Sequence, residues 1–463
     1  MKRMFCLKRP RSVLAVLAGA LAASGCTMIP RYERPLAPVP STFPESPDTS
    51  ADVHAGDLAW QEFIGDDRLS KIVALALENN RDLRVAVLNV EQARAQYRIT
   101  RSSSLPGVEA SGSFARSGQS GVSASQWSAN VSTSYEVDLF GRVRSQNAQA
   151  LEQFFATEEA QRSARISLVS EVATQYFALR SAVEQLELAR RTLSELRDSY
   201  AITKAIVDAG GATELDLRAA EGQVQNAKIS ILNDERSIVQ AQNALDLLVG
   251  RRLPDDLPAP RALSDTTILS TLGVGLPSDV VQRRPDILEA EHTLRAANAS
   301  IGAARAAFFP TIQLTGSDGS ASSQLSKLFG AGTGVWSFAP QISVPIFSGG
   351  KNDASLASAR IGAQISVANY EKAIQTAFRE VADALIAADS YAHLVTEDAT
   401  LISAEQRRYE LATIRYRAGE DSYLNVISAQ QDLFNAQQSQ IVAQYNRLTS
   451  QLSLYKALGG GWK

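Results

Sequence analysis

The chain has 463 residues, of which 21% are charged and 45% are apolar, and its formal charge is −3 at pH 7. This balance excludes a disordered chain and an ordinary polytopic membrane protein. A chain with a net negative charge is also a poor candidate for a nucleic-acid-binding protein.

The first residues have the pattern of a secretory signal peptide, which we place at residues 1–25. Basic residues precede the apolar run 12-SVLAVLAGALAAS-24, which is too short to span a bilayer. The run ends at 23-ASGC-26, which resembles a bacterial lipobox. That resemblance implies that Cys26 becomes the lipidated N-terminus, carrying diacylglycerol and palmitate. The alternative is a chance cysteine beside an ordinary cleavage site.

Cysteine usage limits the chemistry, because Cys6 lies in the leader and Cys26 would be the one cysteine of the mature chain. A disulfide framework, a cysteine-ligated zinc site and a cysteine nucleophile are therefore excluded. The sequence also has no HExxH, GxSxG or Walker A motif. We predict no catalytic residue, no metal site, no cofactor besides the lipid and no enzyme activity.

Residues 26–66 form a proline-rich arm, because proline at this density favours extended chain over helix. From near Asp67 to Pro106, apolar residues recur every seven positions, which predicts one helix with a seam of small residues. A second helix of about 65 residues is predicted from about Arg142. Glycines then separate it from a shorter helix that ends at Gly250.

Runs of about ten residues with alternating polarity lie between these helices, and ten alternating residues match a tilted transmembrane β-strand. The predicted strands are at about 107–117, 127–140, 311–320 and 335–347. Four strands cannot close a barrel, and unpaired strand edges have no place in lipid. Since no segment after residue 26 has 18 uninterrupted apolar residues, any membrane crossing requires a closed β-barrel built from several copies.

The second half of the chain repeats the first. Residues 284–310 match 80–106 at an offset of 204, and residues 380–459 match 171–250 at an offset of 209. We predict two tandem repeats with the order helix, strand, strand, long helix, helix. We predict the first repeat at 67–250 and the second at 277–459. A linker at 251–276 separates them, and a C-terminal tail follows at 460–463.

Six segments resemble the TolC-type outer membrane factors, in the lipoprotein branch of RND efflux channels (OprM-like or NodT-like). They are 58-LAWQEFIGDDRLSKIVALALENNRDLRVA-86, 136-EVDLFGR-142, 277-PSDVVQRRPDILEAE-291, 344-VPIFSGGK-351, 415-RYRAGEDSYLNVISAQ-430 and 454-LYKALGGGW-462. The resemblance implies a mainly α fold with a transmembrane β-barrel. Three chains would form a 12-stranded outer-membrane barrel continuous with a periplasmic α-helical tunnel.

The same resemblance implies a function and partners. The trimer would be a passive exit duct for drugs and other small toxic compounds, lipid-anchored in the outer membrane, and would contribute to antibiotic resistance. Its partners would be a periplasmic adaptor and an inner-membrane RND pump. Two alternatives stay open: a duct for type I protein secretion or metal-ion efflux, and a non-conducting coiled-coil lipoprotein.

A gate is implied at the periplasmic helix ends, where Gly210, Gly211 and Gly419 would serve as turns or hinges. Asp216 aligns with an aperture acid, and three copies would form an acidic ring that favours cations. Tyr416 aligns with a tyrosine that can bond to this acid across the repeats. The alternative for Asp216 is a capping box with a threonine three residues earlier, and the two roles are compatible.

The second repeat departs from the pattern of the family at the gate. Asn425 and Ser428 occupy positions that often carry aperture acids, and Asp421 stands where some relatives have arginine. The selectivity ring is therefore expected to differ from that of the best-known members. For Tyr416 and Tyr423, helix packing is the alternative to a gating contact.

Overall fold

The computed structural model describes residues 27–43, 58–119, 121–266, 268 and 283–460. The predicted lipid-attachment residue Cys26 lies outside the described residues, as do the first positions of the predicted second repeat. The described chain is mainly helical with one antiparallel sheet, as predicted. None of the described helices combines the length and the apolar character needed to cross a bilayer.

The predicted order of elements is found in both halves of the chain. In the first half the elements are α1 (Trp60–Phe63), α2 (Asp67–Asn79), α3 (Arg81–Ser102), β1 (Gly107–Gln119), β2 (Val122–Val137), α4 (Arg142–Asp208) and α5 (Glu214–Val249). In the second half they are α6 (Pro285–Ala306), β3 (Thr311–Ser322), β4 (Gly334–Ser343), α7 (Lys351–Arg417) and α8 (Tyr423–Ala457), with a 3-10 turn at Leu325–Lys327.

The chain divides into two compact units, and each combines segments from both halves. Unit 1 consists of Met1–Leu36, Asn89–Glu158 and Glu289–Lys372, and it contains the sheet. Unit 2 consists of Ala37–Leu88, Glu159–Leu288 and Ala373–Lys463, and it contains α5 and α8.

The sheet of unit 1 has the order β1-β2-β3-β4, with every neighbouring pair antiparallel. Gly107 lies opposite Ser134 in the first hairpin, and Thr311 lies opposite Ser343 in the second. These pairs differ by the repeat offsets of 204 and 209, so the two hairpins are structurally equivalent. Pairing of β2 with β3 joins the repeats and leaves β1 and β4 at the edges.

The two faces of the sheet differ in polarity, because residues opposite each other in an antiparallel ladder share a face. Apart from Arg116 and Asp318, one face is apolar or small. Its large apolar residues are Val108, Phe114, Trp127, Val131, Tyr135, Val137, Ile312, Leu314, Trp336, Phe338 and Ile342. The other face carries mainly serine, threonine, asparagine, glutamine and glutamate. Trp336 is 79% exposed in the single chain.

Two strands end earlier than predicted. Strand β2 stops at Val137 rather than at 140, because the Asp138 carboxylate accepts hydrogen bonds from the backbone nitrogens of Val143 and Arg144 (3.1 and 2.8 Å). That interaction caps the start of α4. Strand β4 stops at Ser343 rather than at 347.

The predicted single helix from 67 to 106 is wrong, because the chain breaks at Asn80 into α2 and α3. Asn80 adopts an extended conformation, its Oδ1 accepts from the backbone nitrogen of Leu83 (2.8 Å), and its Nδ2 donates to the Leu248 carbonyl (2.8 Å). The second half has the same joint with a charged residue. There Arg284 donates to the Ala457 carbonyl (2.9 Å). Arg284 follows Asn80 by the offset of 204, and Ala457 follows Leu248 by the offset of 209.

The core of unit 2 forms around α1 and α2. Phe63 is fully buried and stacks on Tyr455, with ring centroids 4.0 Å apart. Seam residues Leu69 and Ala76 of α2 are also fully buried in this cluster. The predicted small-residue seam therefore packs the core of unit 2.

In unit 1, the described part of the N-terminal arm lies along one face of α6. The Arg34 guanidinium donates to both carboxylate oxygens of Glu291, at 3.1 and 2.6 Å. Arg295 donates to the same carboxylate at 2.6 Å, and its guanidinium lies over the ring of Tyr32. Burial alone would raise the pKa of Glu291, but these arginines lower it below its ordinary value.

The arm continues along the same helix. Asn298 donates to the Pro30 carbonyl at 2.9 Å, and Arg305 donates to the Met28 carbonyl at 3.3 Å. Between them Gly302 lets Ile29 approach the helix backbone, because no side chain stands in the way. The arm and α6 therefore run in opposite directions.

Candidate functional site at the helix ends of unit 2

The candidate gate lies where each long helix turns into the shorter one. Gly210 and Gly419 both have positive φ (78° and 73°). The next backbone nitrogen donates five residues back in each turn, from Gly211 to Ile206 (2.9 Å) and from Glu420 to Arg415 (3.0 Å). Both turns are Schellman motifs, in which glycine supplies the left-handed residue. The repeated sequence thus produces the same turn in both repeats.

The Asp216 carboxylate forms the capping box that its spacing predicts. Its Oδ2 accepts from the backbone nitrogen and the hydroxyl of Thr213, at 3.1 and 2.7 Å. The Thr213 hydroxyl oxygen accepts in return from the Asp216 nitrogen at 3.2 Å. Asp216 is half-buried, so the local capping role leaves part of the carboxylate accessible to solvent.

Tyr416 lies near Asp216 but is not bonded to it in the part of the chain that the structure describes. Burial raises the pKa of Tyr416, and the negative charge of Asp216 raises it further. The ring of Tyr416 packs on that of Tyr423, with centroids 5.1 Å apart. Tyr423 is buried beside Ala220 and bonds through its hydroxyl to the Ser199 hydroxyl at 2.9 Å. In this structure both tyrosines belong to one packed cluster.

Asn425 is held by Asp421 across the start of α8. Its Nδ2 donates to Asp421 Oδ1 at 2.5 Å, and the other Asp421 oxygen lies 3.4 Å from the Arg415 guanidinium. Arginine and acid therefore pair across the glycine turn of the second repeat. No sequence pattern indicates this pair, which joins the last turn of α7 to the turn before α8.

Ser428 is part of a second polar set on the exposed side of α8. The Arg408 guanidinium donates to Asp432 at 2.7 Å and to Ser428 at 3.4 Å. The structure therefore does not gather the predicted gate residues into one cluster: Asp216 and Tyr416 are neighbours, whereas Asn425 and Ser428 belong to separate networks. Across the described ranges no group of three metal-ligating side chains occurs.

Two long helix pairs with matching glycine turns, joined to a sheet shared by the two repeats, define the class of outer-membrane efflux channel subunits. The chain belongs to the family described as "Outer membrane efflux protein", whose model matches residues 72–251 and 276–460. The predicted membership of the TolC-type outer membrane factors and the predicted role as an outer-membrane efflux channel are confirmed.

Three relatives illustrate the match. The toluene efflux pump outer membrane protein TtgC of Pseudomonas putida is 45% identical, covering 98% of this chain and 96% of its own. The cation efflux system protein CusC of Escherichia coli is 41% identical, covering 96% and 97%. The open state of the Neisseria gonorrhoeae MtrE outer membrane channel has a TM-score of 0.89 at 40% identity, covering 95% of this chain and 99% of that one.

Proposed function

We propose that three copies of this chain form a 12-stranded barrel in the outer membrane and a helical periplasmic tunnel below it. The assembly is the passive exit duct of a tripartite efflux system with a periplasmic adaptor and an inner-membrane RND pump. Its cargo is drugs and other small toxic compounds. The names of the relatives support efflux; one relative is named for toluene and another for cations.

The observation that carries this proposal is the open, two-faced sheet. Both edge strands, β1 and β4, have one unpaired side within the described chain. One face presents exposed aromatic and aliphatic side chains, which suits lipid, and the other presents hydroxyl, amide and carboxylate groups, which suit a water-filled lumen. Pairing of β4 with β1 of a sister copy satisfies both edges.

Single-channel recording in planar bilayers tests this function. The purified full-length protein is expected to give stable ohmic currents, whereas a non-conducting coiled-coil lipoprotein gives none. Co-purification with an RND pump from native membranes tests the partners. Cation efflux is the second candidate function because of the similarity to CusC. Growth of a deletion strain on antibiotics and on metal salts separates the two cargoes.

Three Asp216 carboxylates are proposed to ring the periplasmic aperture. Replacement of Asp216 by alanine is expected to raise the basal conductance or to lower the preference for cations, because the ring loses its negative charge. Single-channel recording with salt gradients measures both quantities. Unchanged currents would remove Asp216 from the gate.

Thr213→Ala is the matched control for that experiment, since it removes the capping partner and keeps the acid. Loss of the cap costs about 1 kcal/mol of helix stability. If the two variants change the currents equally, Asp216 acts only through the helix end.

Lipidation of Cys26 is proposed to anchor the arm in the inner leaflet of the outer membrane. Cys26→Ser is expected to abolish acylation while leaving the assembly of three chains intact, because the barrel strands are unchanged. Intact-mass spectrometry measures the lipid. An acyl group on the serine variant would refute the assignment of Cys26.

A further inference from the structure

Helices α3 and α6 approach the sheet at the same level. Helix α3 ends at Ser102 before β1 starts at Gly107, and α6 ends at Ala306 before β3 starts at Thr311. The two helix ends are 204 positions apart in the sequence, and so are the two strand starts. Arg101 and Arg305, which also differ by 204, therefore stand equally far from their strands.

The arm marks this level as the membrane surface, if the proposed lipidation holds. Arg305 donates to the Met28 carbonyl, and the chain between the α-carbons of Met28 and Cys26 extends at most about 7 Å. An acyl group on Cys26 must enter lipid close to that point. The level of Arg305, and by equivalence that of Arg101, is then the headgroup region of the inner leaflet.

The equivalent faces of the two helices differ in what covers them. On α6, Asn298, Gly302 and Arg305 hold the arm. On α3, the corresponding residues are Arg94, Arg98 and Arg101. An arginine in place of the glycine removes the space that an arm needs, so this face of α3 cannot hold an arm as α6 does.

Two of these arginines are free. Arg94 is engaged, since its guanidinium lies 3.8 Å from Glu158 and 5.4 Å from the ring centre of Phe154. Arg98 and Arg101 are exposed, and their side chains make no hydrogen bond or ion pair with the described residues. Two large apolar side chains lie close to them in sequence: Ile99 follows Arg98 directly, and Leu105, which is 68% exposed, follows four residues after Arg101.

We propose that Arg98 and Arg101 bind the phosphate of an anionic phospholipid in the inner leaflet of the outer membrane. Guanidinium groups bind phosphate through paired N–H donors, and two of them one turn apart suit a single headgroup. Ile99 (62% exposed) and Leu105, which are close to them in sequence, are exposed apolar side chains that suit the acyl chains. One repeat is thus held to the leaflet by the arm, and the other by a bound lipid.

This inference rests on the proposed membrane insertion, so its test measures channel activity alongside lipid binding. Full-length protein is reconstituted in nanodiscs of phosphatidylethanolamine and phosphatidylglycerol, and native mass spectrometry counts the lipids that stay bound. Removal of each arginine is expected to lower the preference for phosphatidylglycerol roughly fivefold. The double variant R98Q/R101Q is therefore expected to lose most of that preference.

The matched control is R81Q/R84Q, which removes two exposed arginines from the first turn of the same helix. It should keep the preference of the unmodified protein. Equal preference in R98Q/R101Q and the unmodified protein would overturn the headgroup site, as would an equal loss in the control. Currents without any lipid preference would overturn this site alone, whereas absence of currents from the unmodified protein would overturn the proposed function and this site with it.

Discussion

Replacing Arg284 by methionine is expected to lower the free energy of unfolding of unit 2 by about 2–3 kcal/mol. The guanidinium is 8% exposed and donates to Asp286 at 2.6 Å, to Glu380 at 2.7 Å and to the Ala457 carbonyl at 2.9 Å. Methionine fills much of the volume but leaves these acceptors without their donor. The two carboxylates are partly exposed (38% and 42%), so water compensates some of the loss.

Hydrogen exchange of the C-terminal turns of α8, together with the thermal midpoint in detergent, measures this effect. Glu380→Gln is the control, because it removes the charge of the more exposed partner and keeps the bonds to Asp286 and Ala457; its cost should be below about 1 kcal/mol. Asn80→Leu removes the equivalent neutral joint of the first repeat and should cost about 1–2 kcal/mol. If Arg284→Met were no more harmful than Glu380→Gln, the buried joint would not hold α8.

Replacing Gly302 by arginine, the residue at the equivalent position of α3, is expected to expel the arm from α6. Even a methyl group at Gly302 would lie 2.6 Å from Ser145 Oγ, 2.7 Å from Ile29 Cγ1 and 2.9 Å from the Ile29 nitrogen. Such overpacking costs about 1–3 kcal/mol. We therefore expect the amides of the arm between residues 29 and 34 to exchange about 10- to 100-fold faster.

Gly362→Ala is the matched control, because this glycine also lies inside a helix of unit 1 but has no atom within 4 Å of an added Cβ. That change should stabilise α7 by roughly 0.5–1 kcal/mol and leave exchange of the arm unaltered. Unaltered exchange of the arm in Gly302→Arg would show that Gly302 does not seat it.

The regular parts of the fold could be predicted from the sequence because they depend on periodicity. Heptad spacing predicted the two 67-residue helices, and alternating polarity predicted the four strands. The offsets of 204 and 209 predicted that the second half repeats the first. The break at Asn80 could not be found in this way, since the seam residues Leu69, Ala76 and Leu83 stay in register across it. The break depends on the bond from Asn80 to the Leu248 carbonyl, which lies far along the chain and has no local sequence signal.

At the candidate gate, too, local features could be predicted from the sequence and other contacts could not. Local spacing predicted the capping box of Asp216 with Thr213 and both glycine turns. The Ser199–Tyr423 bond joins helices that are far apart in the chain, and the Arg415–Asp421 pair spans a glycine turn; neither had a sequence signal. The bond between Tyr416 and Asp216 across the repeats stays a prediction.

Counting the chains in the detergent-solubilised particle tests the central claim most directly. Native mass spectrometry of the purified protein should give three copies, the number that supplies 12 strands at four strands per chain. The β1 and β4 strands of each chain then pair with sister strands, and no sheet edge stays open. A particle that holds a single chain with both edges unpaired would contradict the account.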